Sequence, residues 1–294
     1  MTTKRFGLSC AISTPFASSG TIDMPRLIAH AKQCKSEGCD SITLFGTTGE
    51  GFSIGPKERT AVYDGFRQAG FNMRTEVGAG VMAASVEEAA AQAKQALDAG
   101  CRHLLLAPPF YFKGVSDDGL FAWHSEFFRA LGSNCRDVIL YNLPGQTAVT
   151  ISHELVARLR KAHPGVVTGV KDSSGVWPYT ERMLKEQGDI AILIGDERHL
   201  AKAVRLGGQG SICGLANTHA SLLRPLVHDG RDSSLINTLV DTIVSFPVLP
   251  AIKAGIAAKT KDPVWLNVRA PLVALTADQQ QKLNAAIATV MKQA

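Results

Sequence analysis

At 294 residues the chain is long enough for one large domain or two small ones, and it can bury roughly three quarters of its unfolded surface. Its composition, 45% apolar and 19% charged, is that of an ordinary globular chain, and no apolar run approaches the ~20 residues that cross a bilayer. The formal charge of +5 is carried by scattered Lys and Arg without a basic stripe or interleaved aromatics, which argues against a nucleic-acid partner.

The N-terminal stretch MTTKRFGLSCAISTPF lacks the longer apolar segment and cleavage site of a secretory signal, so the expected location is the cytoplasm. The six cysteines form no CxxC pair and no ligand ladder with histidine. Cys10, Cys101 and Cys213 lie in or beside apolar segments and read as buried free thiols. Neither a disulfide nor a zinc site is expected.

Short β-like runs alternate with longer helical patterns along the chain. Strands are expected at 7–14, 41–45, 75–80, 103–107, 138–141, 166–171, 191–195 and 211–215. Amphipathic stretches at 25–37, 56–69, 86–99, 118–131, 153–162 and 199–206 lie between them. The runs are mostly continuous and apolar, as parallel strands buried on both faces should be. Pro25 and Pro56 stand where first-turn prolines belong, and Ser85 precedes Glu87 and Glu88 as a helix cap should. Eight β/α units without a break in composition predict a (β/α)8 barrel over residues 1–220. Beyond Asn217 the strand signal stops. Helical patterns near 233–244, 251–259 and 278–292 predict a C-terminal helical extension, 221–294, packed on the barrel as one unit.

In such a barrel the side chains at the C-terminal strand ends surround the site. In the run ending GVKD, alternation puts Val167, Gly169 and Lys171 on one face and Val166, Thr168 and Val170 on the other. Lys171 then points into the barrel, with Gly169 below it leaving room. An amine held away from water there can act as a nucleophile; the bland alternative is a lysine snorkelling to solvent. In YNLPGQT, Tyr141 shares a face with Ile139, and Pro144 stops the strand. An inward phenol can pass a proton, or it can simply pack with its hydroxyl bonded to backbone. In FGTTGEG two hydroxyls sit between glycines, a turn whose N–H groups can cradle a carboxylate or phosphate. It matches neither nucleotide-binding glycine pattern. In APPFYFKG, two prolines fix an extended exit before three clustered aromatics, which suits a subunit interface or a lid.

With these segments in order, the chain resembles the dihydrodipicolinate synthase / N-acetylneuraminate lyase family, the lysine-dependent pyruvate aldolases and lyases. Gly46–Thr47–Thr48–Gly49–Glu50 is similar to the family's GTTGE or GSTGE loop, Tyr141–Asn142–Leu143–Pro144 to its YNxP motif, and Gly169–Val170–Lys171–Asp172 to its G(I/V)K strand. Gly207–Gly208–Gln209–Gly210 with Leu215–Ala216–Asn217 is similar to its last barrel strand.

The resemblance implies that Lys171 forms a Schiff base with pyruvate or another 2-oxo acid. It implies that Tyr141 shuttles protons, with Thr47 as relay, and that Thr47 and Thr48, with Gly49, hold the carboxylate. Gln146, Gly195 and Ile212 would complete the substrate pocket. Tyr111 would reach into a neighbouring subunit of a homotetramer built as a dimer of dimers. No metal and no cofactor are implied, because the iminium is itself the electron sink.

There are departures from the family pattern. Synthases carry arginine two residues beyond YNxP to hold the carboxylate of aspartate semialdehyde; here that position is Gln146. The aromatic loop is also one residue longer. The expected activity is therefore cleavage or formation of a C–C bond between a 2-oxo acid and an aldehyde, with a hydroxylated or sugar-derived substrate. The alternatives are 4-hydroxy-tetrahydrodipicolinate synthase and a related 2-oxo acid dehydratase. A silent carboxylate-binding barrel and a phosphate-binding barrel using Gly207–Gly210 are the readings from other classes.

Overall fold

The computed structural model describes residues 5–292. The termini of the two expected segments, 1–4 and 293–294, lie outside the described residues. Eight parallel strands close into a barrel in chain order. They are β1 (Gly7–Ala11), β2 (Ser41–Leu44), β3 (Val77–Val81), β4 (Leu104–Leu106), β5 (Val138–Asn142), β6 (Val167–Asp172), β7 (Ala191–Ile194) and β8 (Gly210–Cys213). Closure is made by β1 pairing with β8, Gly7 to Gly210 through Cys10 to Cys213. The protein is thus a (β/α)8 barrel, as the alternation of short apolar runs and helical patterns predicts.

The longer helices between the strands are α1 (Met24–Ser36), α2 (Pro56–Gln68), α3 (Val86–Asp98), α4 (Asp117–Leu131), α5 (His153–Ala162), α6 (Trp177–Gln187) and α7 (Leu200–Arg205). Local chemistry sets where they start. Asp23, Ser85, Ser116 and Ser152 each accept a hydrogen bond from a first-turn N–H, and prolines occupy the first turns of α1, α2 and α6. Helix α6 was not legible as an amphipathic pattern, because two of its four buried residues, Thr180 and Gln187, are polar.

Helix α8 (Ala216–Asp229) follows β8 and packs against β1. The boundary expected at residue 220 falls inside this helix, which kinks at His219 and carries Pro225 in its interior. The kink and the internal proline hide a helix from a periodicity reading. Beyond it lie α9 (Ser234–Val244), α10 (Val248–Thr260) and α11 (Ala277–Met291). Among the described residues no single helix is long and apolar enough to cross a membrane.

The core has two layers. Outward-facing strand residues such as Leu140, Val167 and Val170 pack under the helices, while Leu105, Ile139, Tyr141, Leu193 and Ile212 fill the barrel interior. Strict alternation along 166–171 fails at one point. The register of β5 on β6 slips between Val138 and Ile139, which pair with Val167 and Gly169. The extra residue, Thr168, turns Val167 outward rather than inward. From Gly169 upward the alternation holds and Lys171 points in.

Candidate active site

Register places the key side chains. At the top of the barrel Tyr141 pairs with Lys171, and Asn142 with Asp172. The second pair clamps the first. Asn142 Nδ2 donates to Asp172 Oδ1 at 2.9 Å, and Asn142 Oδ1 accepts from the Ile151 N–H at 3.0 Å. Asp172 also accepts from the Ser174 N–H at 3.0 Å and from Thr180 Oγ1 at 2.6 Å. The carboxylate is buried and takes three of these four bonds, so the two strand ends cannot drift apart without leaving it short of a buried partner.

Below Lys171, a Cβ on Gly169 would stand 2.7 Å from the Ala191 carbonyl oxygen. The glycine thus lets β6 and β7 close on one another, rather than leaving open room for the lysine. Lys171 is 5% exposed, with Nζ 4.1 Å from the centroid of the Tyr141 ring. Among the described residues no carboxylate lies within ion-pair distance of that nitrogen. Tyr141 Oη stands 3.4 Å from Thr47 Oγ1, the outer limit of a hydrogen bond.

The 45–51 loop is bent tightly. Phe45 and Glu50 are both left-handed, at φ 57° and 54°, each a cost of roughly 1–2 kcal/mol for a non-glycine residue. The N–H groups of Gly49, Glu50 and Gly51 are spent inside the turn, on the carbonyls of Gly46 and Thr47. Among the described residues no acceptor lies within reach of the Thr47 or Thr48 N–H. Two adjacent unpartnered donors with two hydroxyls make a concavity for an anion.

The bent loop is held from outside. Arg59 is buried and donates to the carbonyls of Ile54, Gly80 and Gly51 at 3.3, 3.0 and 2.9 Å. Glu50 forms a buried ion pair with Lys253 of α10 and accepts from the Arg269 N–H at 2.9 Å. Lys253 donates in turn to the Asn267 carbonyl at 2.7 Å. Burial pulls the Lys253 ammonium below its usual range, and the facing Glu50 carboxylate opposes that shift.

One cavity of about 250 Å³ gathers Thr47, Thr48, Tyr141, Gln146, Lys171, Gly195 and Ile212. Two expected residues are not in it. Gly49 is buried behind the loop, where its carbonyl accepts from Thr14 Oγ1 at 2.8 Å and a Cβ would stand 2.7 Å from the Ile12 carbonyl oxygen. There it lets the loop lie against the end of β1, and it is not among the residues that line the cavity. Tyr111 is 75% exposed on the loop after β4, packed edge-on against Phe112, and lies outside its own chain's cavity.

Sequence reading missed the rest of the lining. Ser173, Asp196 and Glu197 follow β6 and β7, where strand-end position alone was the available signal. Glu197 accepts from the Leu215 N–H at 3.2 Å, and burial pushes its carboxyl up. Arg198 also lines the cavity, but it donates from all three guanidinium nitrogens to Asp196 and Asp241.

A family model described as the dihydrodipicolinate synthetase family matches residues 4–290. The chain is 52% identical, with a TM-score of 0.95, to the crystal structure of dihydrodipicolinate synthase from Agrobacterium tumefaciens, over 97% of this chain and 99% of that one. It is 28% identical to an uncharacterised DapA-like lyase of Chloroflexus aurantiacus, with 97% of each chain covered. It is 26% identical to the 4-hydroxy-tetrahydrodipicolinate synthase of Bacillus subtilis, over 95% of this chain and 97% of that protein. The chain belongs to the dihydrodipicolinate synthetase family and is a lyase of its class I aldolase type.

Proposed function

We propose that the protein cleaves a 4-hydroxy-2-oxo acid to pyruvate and an aldehyde, or runs the reverse condensation, through an iminium on Lys171. One observation carries this. A buried amine with no carboxylate partner among the described residues shares a cavity with an inward phenol and two unpartnered backbone N–H groups.

The chemistry follows from the placement. The N–H and hydroxyl groups of Thr47 and Thr48 hold the substrate carboxylate, which presents C2 to Lys171. The Lys171 amine adds to C2, and the carbinolamine loses water to give the iminium. Tyr141 Oη and Thr47 Oγ1 pass the protons that this exchange requires. The C3–C4 bond then breaks and its electron pair enters the iminium, giving an enamine. The C4 hydroxyl proton passes to the Tyr141–Thr47 pair as the aldehyde leaves. Protonation at C3 and hydrolysis release pyruvate and restore the amine.

The runner-up is the synthase reaction with aspartate semialdehyde, the activity named for the Bacillus subtilis relative. It is disfavoured by charge. Gln146 offers only neutral hydrogen bonds where a distal carboxylate would want a charge-assisted one. Arg198 cannot replace it, because Asp196 and Asp241 already outnumber its single positive charge.

The test is pyruvate release. Purified protein incubated with a panel of 4-hydroxy-2-oxo acids should liberate pyruvate, and the rate should survive exhaustive chelation. No pyruvate from any of them, or activity lost on chelation and restored by a divalent ion, contradicts the reading. Condensation with aspartate semialdehyde faster than the best cleavage would promote the synthase.

The proposed setting is the cytoplasm, and the proposed assembly is a homotetramer built as a dimer of dimers. The exposed Tyr111–Phe112 pair is the natural place for Tyr111 to enter a neighbour's cavity. Tyr111→Phe and Lys171→Ala should each be nearly inactive alone. Refolded together they should recover activity, because some sites then draw both intact residues from different chains. Mixed oligomers without recovery would mean that Tyr111 acts within its own subunit or not at all.

A further inference from the structure

The barrel has a second cavity at the end opposite Lys171. It encloses about 210 Å³, and its polar lining is Arg102, His103, Asp137, Thr168 and Gln209, the rest being apolar. These residues stand at the N-terminal ends of β4, β5, β6 and β8, and none of them lines the cavity around Lys171.

Three features of the fold build this floor. Gly78 on β3 leaves the space that the His103 ring fills, since a Cβ there would stand 2.0 Å from its Nε2. The register slip between β5 and β6 brings Thr168 into the lining, where strict alternation would put it under the helices. The Arg102 guanidinium lies over the Phe6 ring, 4.6 Å from its centroid, and is held there at the cavity.

Hydrogen-bonding capacity is left over. His103 is 3% exposed, with Nε2 3.4 Å from Thr43 Oγ1, and its buried Nδ1 has no partner. Burial, with the Arg102 charge beside it, pulls the imidazole down to about 3, so the ring is neutral. Among the described residues no acceptor pairs with the Arg102 guanidinium, and neither the Thr168 hydroxyl nor the Gln209 amide has a partner. The single carboxylate of the lining, Asp137, accepts from Arg136 Nη1 at 2.6 Å and leaves Arg102 unpaired. A chain that only had to fold gains nothing from a buried nitrogen without a partner beside a cation without an anion.

We propose that the barrel floor is a binding site for a small monocarboxylate. The guanidinium fork of Arg102 takes both carboxylate oxygens, and the Thr168 hydroxyl and Gln209 amide bond the remaining polar atoms. Asp137 disfavours a dianion such as phosphate, because it would face the second negative charge. The site needs no Schiff base, so it stands or falls apart from the lyase reading.

Equilibrium dialysis of radiolabelled acetate against the full chain tests it. Any acetate held near Lys171 is common to all the variants compared. Arg102→Gln should bind one acetate fewer per chain, the lost site being weakened by about 10-fold or more. Arg102→Lys, which keeps the charge without the fork, should fall between. Gln209→Leu reads the same site without touching the cation and should also weaken it. Wild type should release this acetate to formate at least about 10-fold more readily than to inorganic phosphate. No saturable acetate binding, or equal binding by wild type and both the Arg102→Gln and Gln209→Leu variants, overturns the site. Displacement by phosphate as readily as by formate overturns the carboxylate assignment.

Discussion

Replacing Lys171 by alanine should lower pyruvate release by about 10⁴-fold or more, the scale on which loss of a covalent nucleophile acts. Lys171→Arg should be as inactive, because a guanidinium keeps the charge but cannot form the iminium. That comparison separates nucleophile from electrostatic anchor. Neither change should unfold the protein. Lys171 Nζ has no carboxylate partner among the described residues, so its removal orphans no buried charge. A Lys171→Arg variant within about 10-fold of wild type would mean that the residue acts only through its charge.

Lys253→Met should destabilise the fold by about 3–5 kcal/mol, the cost of leaving one member of a buried ion pair unpaired. Both partners are enclosed, with the Lys253 side chain 1% exposed. The loss should also reach the active site. Glu50 holds the left-handed end of the loop whose Thr47 and Thr48 face the cavity, and freeing it should raise KM for the 2-oxo acid. Glu50→Gln combined with Lys253→Met should recover at least half of the lost stability. The amide needs no counter-charge and still accepts from the Arg269 N–H. Urea unfolding at fixed protein concentration measures both variants. A loss below about 1 kcal/mol for Lys253→Met would show that the pair is dispensable.

Much of this was legible in the sequence, for reasons that can be named. Parallel strands buried on both faces write themselves as short apolar runs, and first-turn prolines and serine caps mark where helices begin. Lys171 and Tyr141 stood out because a cation and a phenol close otherwise apolar strands. The 168 bulge was not legible, since one extra residue changes parity without changing composition. The buried Glu50–Lys253 pair was hidden because its partners meet only after the C-terminal helices fold back over the barrel. The part that α9 and α10 take in lining the cavity, through residues such as Val240, Val244, Val248 and Ile252, escaped for the same reason. Positions 240, 243 and 244 form the same stripe whether a helix faces core or ligand, and only the tertiary arrangement tells which. Gly49 lay in the right loop on the wrong side, because adjacency in a tight turn does not fix the direction of each residue.

The central claim is the covalent bond, and one measurement reaches it directly. Protein treated with borohydride in the presence of pyruvate, then digested and weighed peptide by peptide, should carry a single reduced pyruvyl adduct on the peptide containing Lys171. The adduct should be absent from Lys171→Ala and from protein reduced without pyruvate. An adduct on another lysine, or none under conditions where pyruvate is turned over, would contradict the account.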